Sequence, residues 1–383
     1  MKNTIKMSLV AAVAVAGLTS NVAAKPLEEA IKNVDVSGSV VYRYNDYSED
    51  VNGAGSTNAN EYKIATSIKS KVNDYVTATV RVVTGEGFGD ADGGRSSLPN
   101  GTAADENPTL QVSQANFTVK TDYATVIAGK QGLTTPWTVA IDSDGGEQTG
   151  TGLLALIPAG PVTVAAAYFN QTNLDNVKPQ VLAGGALDGS ANIATLGLLG
   201  QAGPVALNAW YLDMDDTFDS YTIGAKATID MITAELKYTS LDLDAANTPD
   251  NNAIIAKVSA KVGPVGLGLN YGKTDKEGGL TALASTASTT LLGWNVTMHD
   301  KADADMFMLN ANMDVMSGLN VALNYNTVDY ADDSEQTEIF TQITHTMGKN
   351  LVTYVRLGQH DEEVDNDETS DSFRGRLQVE YKF

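Results

Sequence analysis

Residues 372–383 read SFRGRLQVEYKF and indicate a β-strand with two chemically different faces. Side chains in a strand point alternately to its two sides. Here one side is apolar and the other is charged or polar, in the sets Phe373, Gly375, Leu377, Val379, Tyr381, Phe383 and Arg374, Arg376, Gln378, Glu380, Lys382. An amphipathic edge strand of a soluble sheet would also look like this. An apolar face that runs on to a final aromatic residue is typical of the closing strand of an outer-membrane β-barrel, apolar toward lipid and polar toward a wet lumen.

The first residues predict export. Lys2 and Lys6 precede an apolar run over residues 7–18, and small residues at 22–24 suit cleavage. This pattern is that of a secretory signal peptide. We therefore predict a signal peptide at 1–24 and a single outer-membrane barrel domain at 25–383.

Composition narrows the class of protein. The chain has 47 acidic and 25 basic residues, a net charge of −22, so we expect no nucleic-acid partner. It has no cysteine, which excludes a disulfide framework. After residue 24 no apolar run reaches the roughly 18 residues that a transmembrane helix needs. A closed barrel needs no such run, because its strands satisfy one another's backbone groups.

The period-two pattern recurs along the chain and predicts an all-β fold, an antiparallel transmembrane barrel of about 18 strands. At 319–327 the pattern is clear, since leucine, valine and tyrosine alternate with asparagine and alanine. The predicted strands lie near 34–46, 60–71, 75–85, 109–120, 123–131, 151–157, 161–170, 191–199, 204–213, 220–229, 232–242, 252–262, 265–273, 304–314, 319–330, 335–346, 350–360 and 372–383.

The connections alternate between short turns and long polar loops. Three turns share a Gly-Pro-Val motif that begins at Gly160, Gly203 and Gly263. Glycine suits the reversal, and proline suits a position where the sheet needs no donor. The long connections predicted are 86–108, 171–190, 274–303 and 361–371. Short periplasmic turns and long external loops are the outer-membrane arrangement, and an even number of strands puts both ends of the chain on the periplasmic side.

Five tyrosines fall on the apolar face, each toward the outer end of an outgoing strand. Aromatic residues at one level form the interfacial girdle of a membrane barrel. The five are Tyr44, Tyr168, Tyr211, Tyr271 and Tyr325.

The segment PLEEAIKNVDVSGSVVYRYND at 26–46, with the Gly-Pro-Val turns and the final YKF, resembles the major outer membrane porins of Campylobacter and related bacteria. The resemblance implies an eighteen-stranded and usually trimeric diffusion channel in the outer membrane of a Gram-negative bacterium. Its partners would be outer-membrane lipid, small hydrophilic solutes and ions, and two further copies of the chain. The likeness to outer-membrane proteins also implies that Phe383 is recognised by the assembly machinery.

Function in such a barrel depends on what narrows the lumen, because sixteen to eighteen strands leave an aqueous channel. Residues 133–150 form the third external loop and contain Pro136, Trp137, Asp142, Asp144 and Glu147. In classical porins the third loop folds inward. We therefore predict an acidic constriction at Asp142, Asp144 and Glu147, the alternative being an acidic loop exposed outside.

Basic residues occupy predicted lumen positions and would face this loop. Opposed charges of this kind create a transverse field that orients polar solutes. The predicted wall residues are Arg43, Arg81, Lys130, Lys226, Lys237, Arg356, Arg374 and Arg376.

Two short motifs raise the question of calcium. Residues 90–94 read DADGG and residues 142–146 read DSDGG, fragments similar to calcium loops, although neither completes an EF-hand. We expect no required cofactor, and a bound calcium remains open with no ligands assigned. His299, His345 and His360 lie too far apart in sequence for a local zinc motif.

The sequence thus favours a general diffusion porin with a moderate preference for cations, and not an enzyme. Two alternatives stay open, a solute-specific outer-membrane channel and a surface adhesin on a barrel scaffold. A hydrolase would need a nucleophile, a base and an orienting group at one site, and the spacing shows no such set.

Overall fold

The computed structural model describes residues 34–49, 55–84, 96–98, 110–173, 189–249, 251–364 and 367–383. The predicted signal peptide and the aspartates at 90 and 92 lie outside these ranges. The described strands form one antiparallel sheet that closes on itself. They are β1 Val34–Glu49, β2 Gly55–Lys71, β3 Val76–Thr84, β4 Ser96–Leu98, β5 Leu110–Lys120, β6 Thr125–Gly132, β7 Thr149–Ala159, β8 Val162–Thr172, β9 Ile193–Ala202, β10 Val205–Met214, β11 Phe218–Ile229, β12 Ile232–Leu243, β13 Asn251–Val262, β14 Val265–Thr274, β15 Asp305–Met316, β16 Leu319–Asp329, β17 Ser334–Met347, β18 Leu351–Val364 and β19 Asp367–Lys382.

Closure occurs between the first and last strands. β1 and β19 pair from Ser39↔Lys382 to Glu49↔Ser372, and the backbone of Phe383 extends the pairing to Gly38. Each of the other wall strands pairs with its neighbours in sequence, except that β3 pairs directly with β5. The three-residue β4 adds to β2 near one end. The wall therefore consists of eighteen strands, and the prediction of a closed barrel is confirmed.

The two faces of the wall differ as predicted. Leu207, Ile223, Leu236 and Leu323 are about half exposed on the outer face, where lipid replaces water. The five tyrosines also lie on this face. Tyr211 and Tyr325 are 48% and 40% exposed, whereas their inward neighbours are polar or covered by loops. Among the described residues, no helix has the length and apolarity needed to cross a membrane.

The eighteen predicted strands all occur, with ends that shift by a few residues. The main difference is at 361–371, which was predicted as a long loop. Here β18 and β19 remain paired, with Asp361 opposite Asp371 and Glu362 opposite Ser370. The prediction was wrong because it took an acidic stretch for a loop. Backbone pairing does not require apolar side chains where the sheet leaves the bilayer.

The Gly-Pro-Val turns are two-residue hairpin loops. Gly160, Gly203 and Gly263 have φ of 66°, 60° and 60°, in the left-handed region that glycine enters without a steric penalty. The opposite end of the barrel carries the longer connections. Two of these, at 133–148 and 275–304, turn into the lumen, so the predicted long external loop at 274–303 is in fact internal.

Closure of the barrel predicts that substitutions at Gly38 destabilise the fold, because the Phe383 ring packs against this glycine. A Cβ at Gly38 would lie 2.7 Å from Phe383 Cζ and closer still to the Ala65 carbonyl oxygen. We expect Gly38→Ala to lower the free energy of unfolding by about 1–3 kcal/mol, the usual cost of overpacking. The loss of the heat-modifiable band on detergent gels, followed against temperature, measures this effect.

Gly200→Ala is the matched control, because a Cβ there would be 3.4 Å from Val162 Cγ2. Equal unfolding temperatures for the two variants would contradict the tight seam at Gly38.

Candidate functional site

The connection between β6 and β7, residues 133–148, is named L3 and is anchored to the inner wall by Glu147. Glu147 accepts hydrogen bonds from Arg81 Nη2 at 2.7 Å and Arg81 Nε at 2.9 Å, and from the Ser113 hydroxyl. Lys63 Nζ lies 3.1 Å from its Oε1. The Glu147 side chain is only 2% exposed. One buried carboxylate therefore binds L3 to β2, β3 and β5.

The tip of L3 carries the other two predicted acids, and they differ in role. Asp142 Oδ1 accepts the backbone N–H groups of Asp144 and Gly146, both at 2.8 Å, so this carboxylate shapes the loop itself. Asp144 Oδ1 lies 2.8 Å from Arg43 Nη1 and 3.6 Å from Arg376 Nη1. The Asp144 side chain is 45% exposed. Asp144 is therefore the most solvent-accessible of the three carboxylates.

Burial and hydrogen bonding shift the pKa values of these loop acids in opposite directions. Burial raises the pKa of Asp142, although backbone hydrogen bonds oppose the shift. Burial would also raise the pKa of Glu147, but the hydrogen bonds from Arg81 and the charge of Lys63 outweigh it. The pKa of Glu147 is thus below its usual value, and the group is ionised at neutral pH.

The base of L3 is fixed on the other side of the barrel by Trp137. Its side chain is fully buried, and its Nε1 donates to Ser220 Oγ on β11 at 2.7 Å. Trp137 packs in an apolar cluster with Leu133 from L3 and with inward residues of β8 to β12, including Phe169 and Leu212. L3 therefore spans the lumen, with ionic contacts at one side and apolar contacts at the other.

The connection between β14 and β15, residues 275–304, is named L7 and packs directly on L3. The Trp137 carbonyl accepts the N–H groups of Leu283 and Ala284 at 2.8 and 3.1 Å. The Pro136 carbonyl accepts the hydroxyls of Ser288 and Thr289, each at 3.2 Å. The two loops therefore form one structure inside the barrel.

A second buried carboxylate holds L7 to the wall. Glu338 on β17 accepts the backbone N–H groups of Trp294 and Asn295 at 2.6 and 2.7 Å. The guanidinium groups of Arg356 and Arg376 lie 4.9 and 5.6 Å from the Trp294 ring centroid, within cation–π range. The far end of L7 thus rests on β17 to β19.

Most of the predicted basic wall residues lie in the lumen, and each contacts a loop or the wall. Arg43, Arg81 and Arg376 contact L3 as described. Arg374 donates to Asn295 Oδ1 of L7 at 3.1 Å, and Lys237 donates to the Ser288 carbonyl at 3.1 Å. Lys226 lies on the inner wall 4.0 Å from Glu235.

Lys130 is the exception, and its predicted lumen position is wrong. It pairs with Ala115, on the face that carries the exposed Phe117, and its Nζ donates to the Val112 carbonyl at 3.0 Å. The inward residue of β6 is the buried Gln131. The sequence of β6 has no clear polar face, and Gly129 has a φ of 117°, so alternation alone could not fix its orientation.

Sequence reasoning missed Lys63, Ser113, Glu338 and the whole of L7 as parts of the site. Lys63 and Glu338 stand on the polar faces of predicted strands, which gave a usable signal. L7 was polar enough to be read as an external loop, although its segment TALASTASTTLLGW at 281–294 is rich in alanine and leucine.

The residues of the 142–146 motif do not fit a calcium site. The Asp142 carboxylate is engaged by backbone N–H groups and that of Asp144 by arginine. A cation there would have to displace these donors and approach two guanidinium groups. Within the described ranges no cluster of three or more acidic, histidine or cysteine residues could hold a metal. His299 lies in L7, where burial lowers its pKa to about 4.

The sequence of the whole chain matches a known family. The sequence profile of the Campylobacter major outer membrane protein matches residues 1–383. The chain belongs to this family. No curated protein matches the chain significantly.

Several solved bacterial structures share the fold of this family member. OccK2 (OpdF) of Pseudomonas aeruginosa has 15% identity and a TM-score of 0.74, with 92% of this chain and 98% of that chain covered. OccAB4 of Acinetobacter baumannii has 16% identity and a TM-score of 0.70 at the same coverage. The BenF-like porin of Pseudomonas fluorescens Pf-5 has 15% identity and a TM-score of 0.70, again at 92% and 98% coverage.

Family and fold together define the class of protein. The chain is an outer-membrane protein of a Gram-negative family, and its closed β-barrel has the fold of a solved porin. Its lumen contains two loops fixed by buried carboxylates.

The Glu147 anchor predicts how L3 responds to pH. Because its pKa is lowered in the folded protein, its contribution to L3 stability is complete above the usual glutamate range, near pH 4.3, and is lost as pH falls through the lower folded value. Glu147→Gln should remove it at every pH and leave two cations without their partner, at a cost of about 3–5 kcal/mol. Hydrogen exchange of the L3 amides, corrected for intrinsic rates, measures the loosening.

The control is Glu277→Gln, which changes an exposed residue at the start of L7. L3 exchange that is unchanged in Glu147→Gln at pH 7, or equally faster in both variants, would contradict the anchoring role.

Proposed function

We propose that the protein is a passive outer-membrane channel for small hydrophilic solutes and ions, with a constriction built jointly by L3 and L7. The observation that carries this proposal is the contact between the two loops inside an eighteen-stranded barrel. A barrel of this size has a lumen too wide for wall side chains to fill. The loops would then set the size limit for passage.

The inner wall beside the loops supports a water-filled path. Asn310 is hydrogen bonded to Asn324 and Asn312, at 2.7 and 2.8 Å. Further round, Arg356 donates to Gln342 Oε1 at 2.7 Å. Amide and guanidinium groups of this kind hold water and exchange hydrogen bonds with polar solutes, whereas apolar solutes gain nothing from them.

Both signs of charge occur at the constriction. Asp144 faces Arg43 and Arg376, so the local field runs across the passage. Glu147 is compensated by Lys63 and Arg81, and Asp142 by loop amides, so in our proposal Asp144 alone of the three attracts passing cations. The net charge of −22 favours cations at the mouths, and the arginines limit the resulting preference.

The other functions considered from the sequence gain less support. An adhesin displays its long loops, but L7, with thirty residues at 275–304, is packed inside. A solute-specific channel has one supporting comparison, since OccK2 (OpdF) of Pseudomonas aeruginosa was also solved in complex with glucuronate, at 15% identity to this chain.

Single-channel recording in planar bilayers tests the proposal. We expect unitary conductance steps that rise with salt concentration, together with swelling of proteoliposomes in small sugars but not in large ones. A barrel that inserts, as shown by heat-modifiable migration, but gives no steps would contradict it.

Asp144→Asn is expected to shift the reversal potential across a salt gradient toward anion preference, because it removes the accessible carboxylate beside two arginines. The effect should be largest at low salt, where screening is weak. Asp333→Asn is the control. Asp333 is exposed in the turn after β16 with φ of 57°, which asparagine tolerates. Equal shifts in both variants would assign selectivity to the general charge of the protein and not to the constriction.

The proposal also covers the oligomeric state of the protein and its insertion into the outer membrane. We infer a homotrimer from the family resemblance, and recognition of Phe383 by the assembly machinery from its position as the last pairing residue of the seam. Native mass measurement in mild detergent should give three chains per particle. A single chain per particle at all protein concentrations would contradict the trimer.

A further inference from the structure

A cavity of about 480 Å³ lies in the lumen where L3, L7 and the wall meet. Its wall side is formed by inward residues of β13, β14 and β15, which include Lys257 and Asn270. The exposed Thr134 and Ser143 of L3 also line it, so the cavity is open to solvent. Its volume is within the range of small-molecule sites, about 300–1,000 Å³.

The chemistry of this cavity differs from that of the arginine-rich side of the lumen. Half of the lining residues bear hydroxyl groups, contributed by L3 and by 285–290 of L7, and most of the others are apolar. Lys257 supplies the one positive charge of the lining. Across the described part of the chain, its ammonium has no hydrogen bond or ion pair. A ligand would therefore find many weak donors and acceptors and one cation that is available.

Two of the lining hydroxyls lack partners. The Oγ1 atoms of Thr286 and Thr290 are buried and make no hydrogen bond to another described group, and Thr290 as a whole is 3% exposed. A buried polar atom without a partner costs free energy, about 1–3 kcal/mol. These two atoms have almost no accessible surface, so the hydroxyls within reach of a ligand are the exposed ones of Thr134 and Ser143.

We propose that this cavity is a binding site for a solute with several hydroxyl groups and one negative charge, the chemical class of the sugar acids. The carboxylate binds Lys257, and the ring hydroxyls bind the exposed threonine and serine side chains of L3. This proposal rests on the proposed function, because it makes the cavity a stopping point on the permeation path. The channel would then hold such solutes at the constriction longer than it holds inorganic ions.

The test compares three probes on the detergent-purified protein by isothermal titration: D-glucuronate, D-glucose and acetate. Glucose has the same ring as glucuronate without the carboxylate, and acetate has the carboxylate without the ring. We expect saturable binding of glucuronate, with glucose weaker by about tenfold, the value of one hydrogen bond to a charged group. Acetate should bind more weakly than either sugar.

The variants separate the contribution of Lys257 from that of the general lumen charge. Lys257→Gln should reduce glucuronate affinity to the level of glucose and leave glucose unchanged. Lys226→Gln is the matched control, because it removes a lysine from the inner wall of β11 that does not line the cavity. Ser143→Ala, which removes an exposed hydroxyl of the lining, should weaken both sugars by a similar factor without changing the binding of acetate.

Absence of saturable glucuronate binding overturns the site, and so does an equal loss of affinity in the two lysine variants. Titration does not depend on conduction, so the two proposals can fail separately. Binding without single-channel conductance would refute the channel and leave the site. Conductance without binding would refute the site and leave the channel.

Discussion

The pairing of β1 with β19 is the constraint on which the rest of the structure depends. In a bilayer a sheet has no water to satisfy an open edge, so every backbone donor and acceptor must find a partner in the wall. Eighteen strands meet this condition by closing. The closed barrel then encloses a lumen that the wall side chains cannot fill. Other parts of the chain must fill or narrow this lumen.

L3 and L7 fill that space by two kinds of contact. Apolar residues of both loops pack on inward residues of β8 to β16, so part of the lumen has the composition of a soluble core. Elsewhere, Glu147 and Glu338 bind the loops to the opposite wall through charged or short hydrogen bonds. Glu147, which belongs to L3, contacts cationic side chains of the wall. Glu338, which belongs to the wall, accepts hydrogen bonds from backbone N–H groups of L7. Both buried carboxylates are thereby hydrogen bonded, as burial of a charged group requires.

The sequence predicted the wall well because strand alternation is a local property. Each predicted strand occurs, including those at 151–157 and 319–330, and the Gly-Pro-Val turns have the backbone that glycine predicts. The approach of L3 to wall arginines was anticipated at Arg43, Arg81 and Arg376. The burial of L7 was not, because it depends on Leu283 and Ala284 meeting Trp137, almost 150 residues earlier in the chain. Lys130 was misplaced because β6 gives no local signal for which side faces inward.

The two loops also affect how easily the barrel can be deformed. A hollow cylinder of strands flattens easily, because bending the sheet breaks few hydrogen bonds. Here L3 leaves the wall at β6 and β7 and is held at β2, β3 and β5 on one flank and at β11 on the other. L7 leaves at β14 and β15 and is held at β12, β17 and β19. Each loop thus connects separate parts of the wall across the lumen. Flattening the barrel would therefore break these contacts of the loops with the wall in addition to bending the sheet.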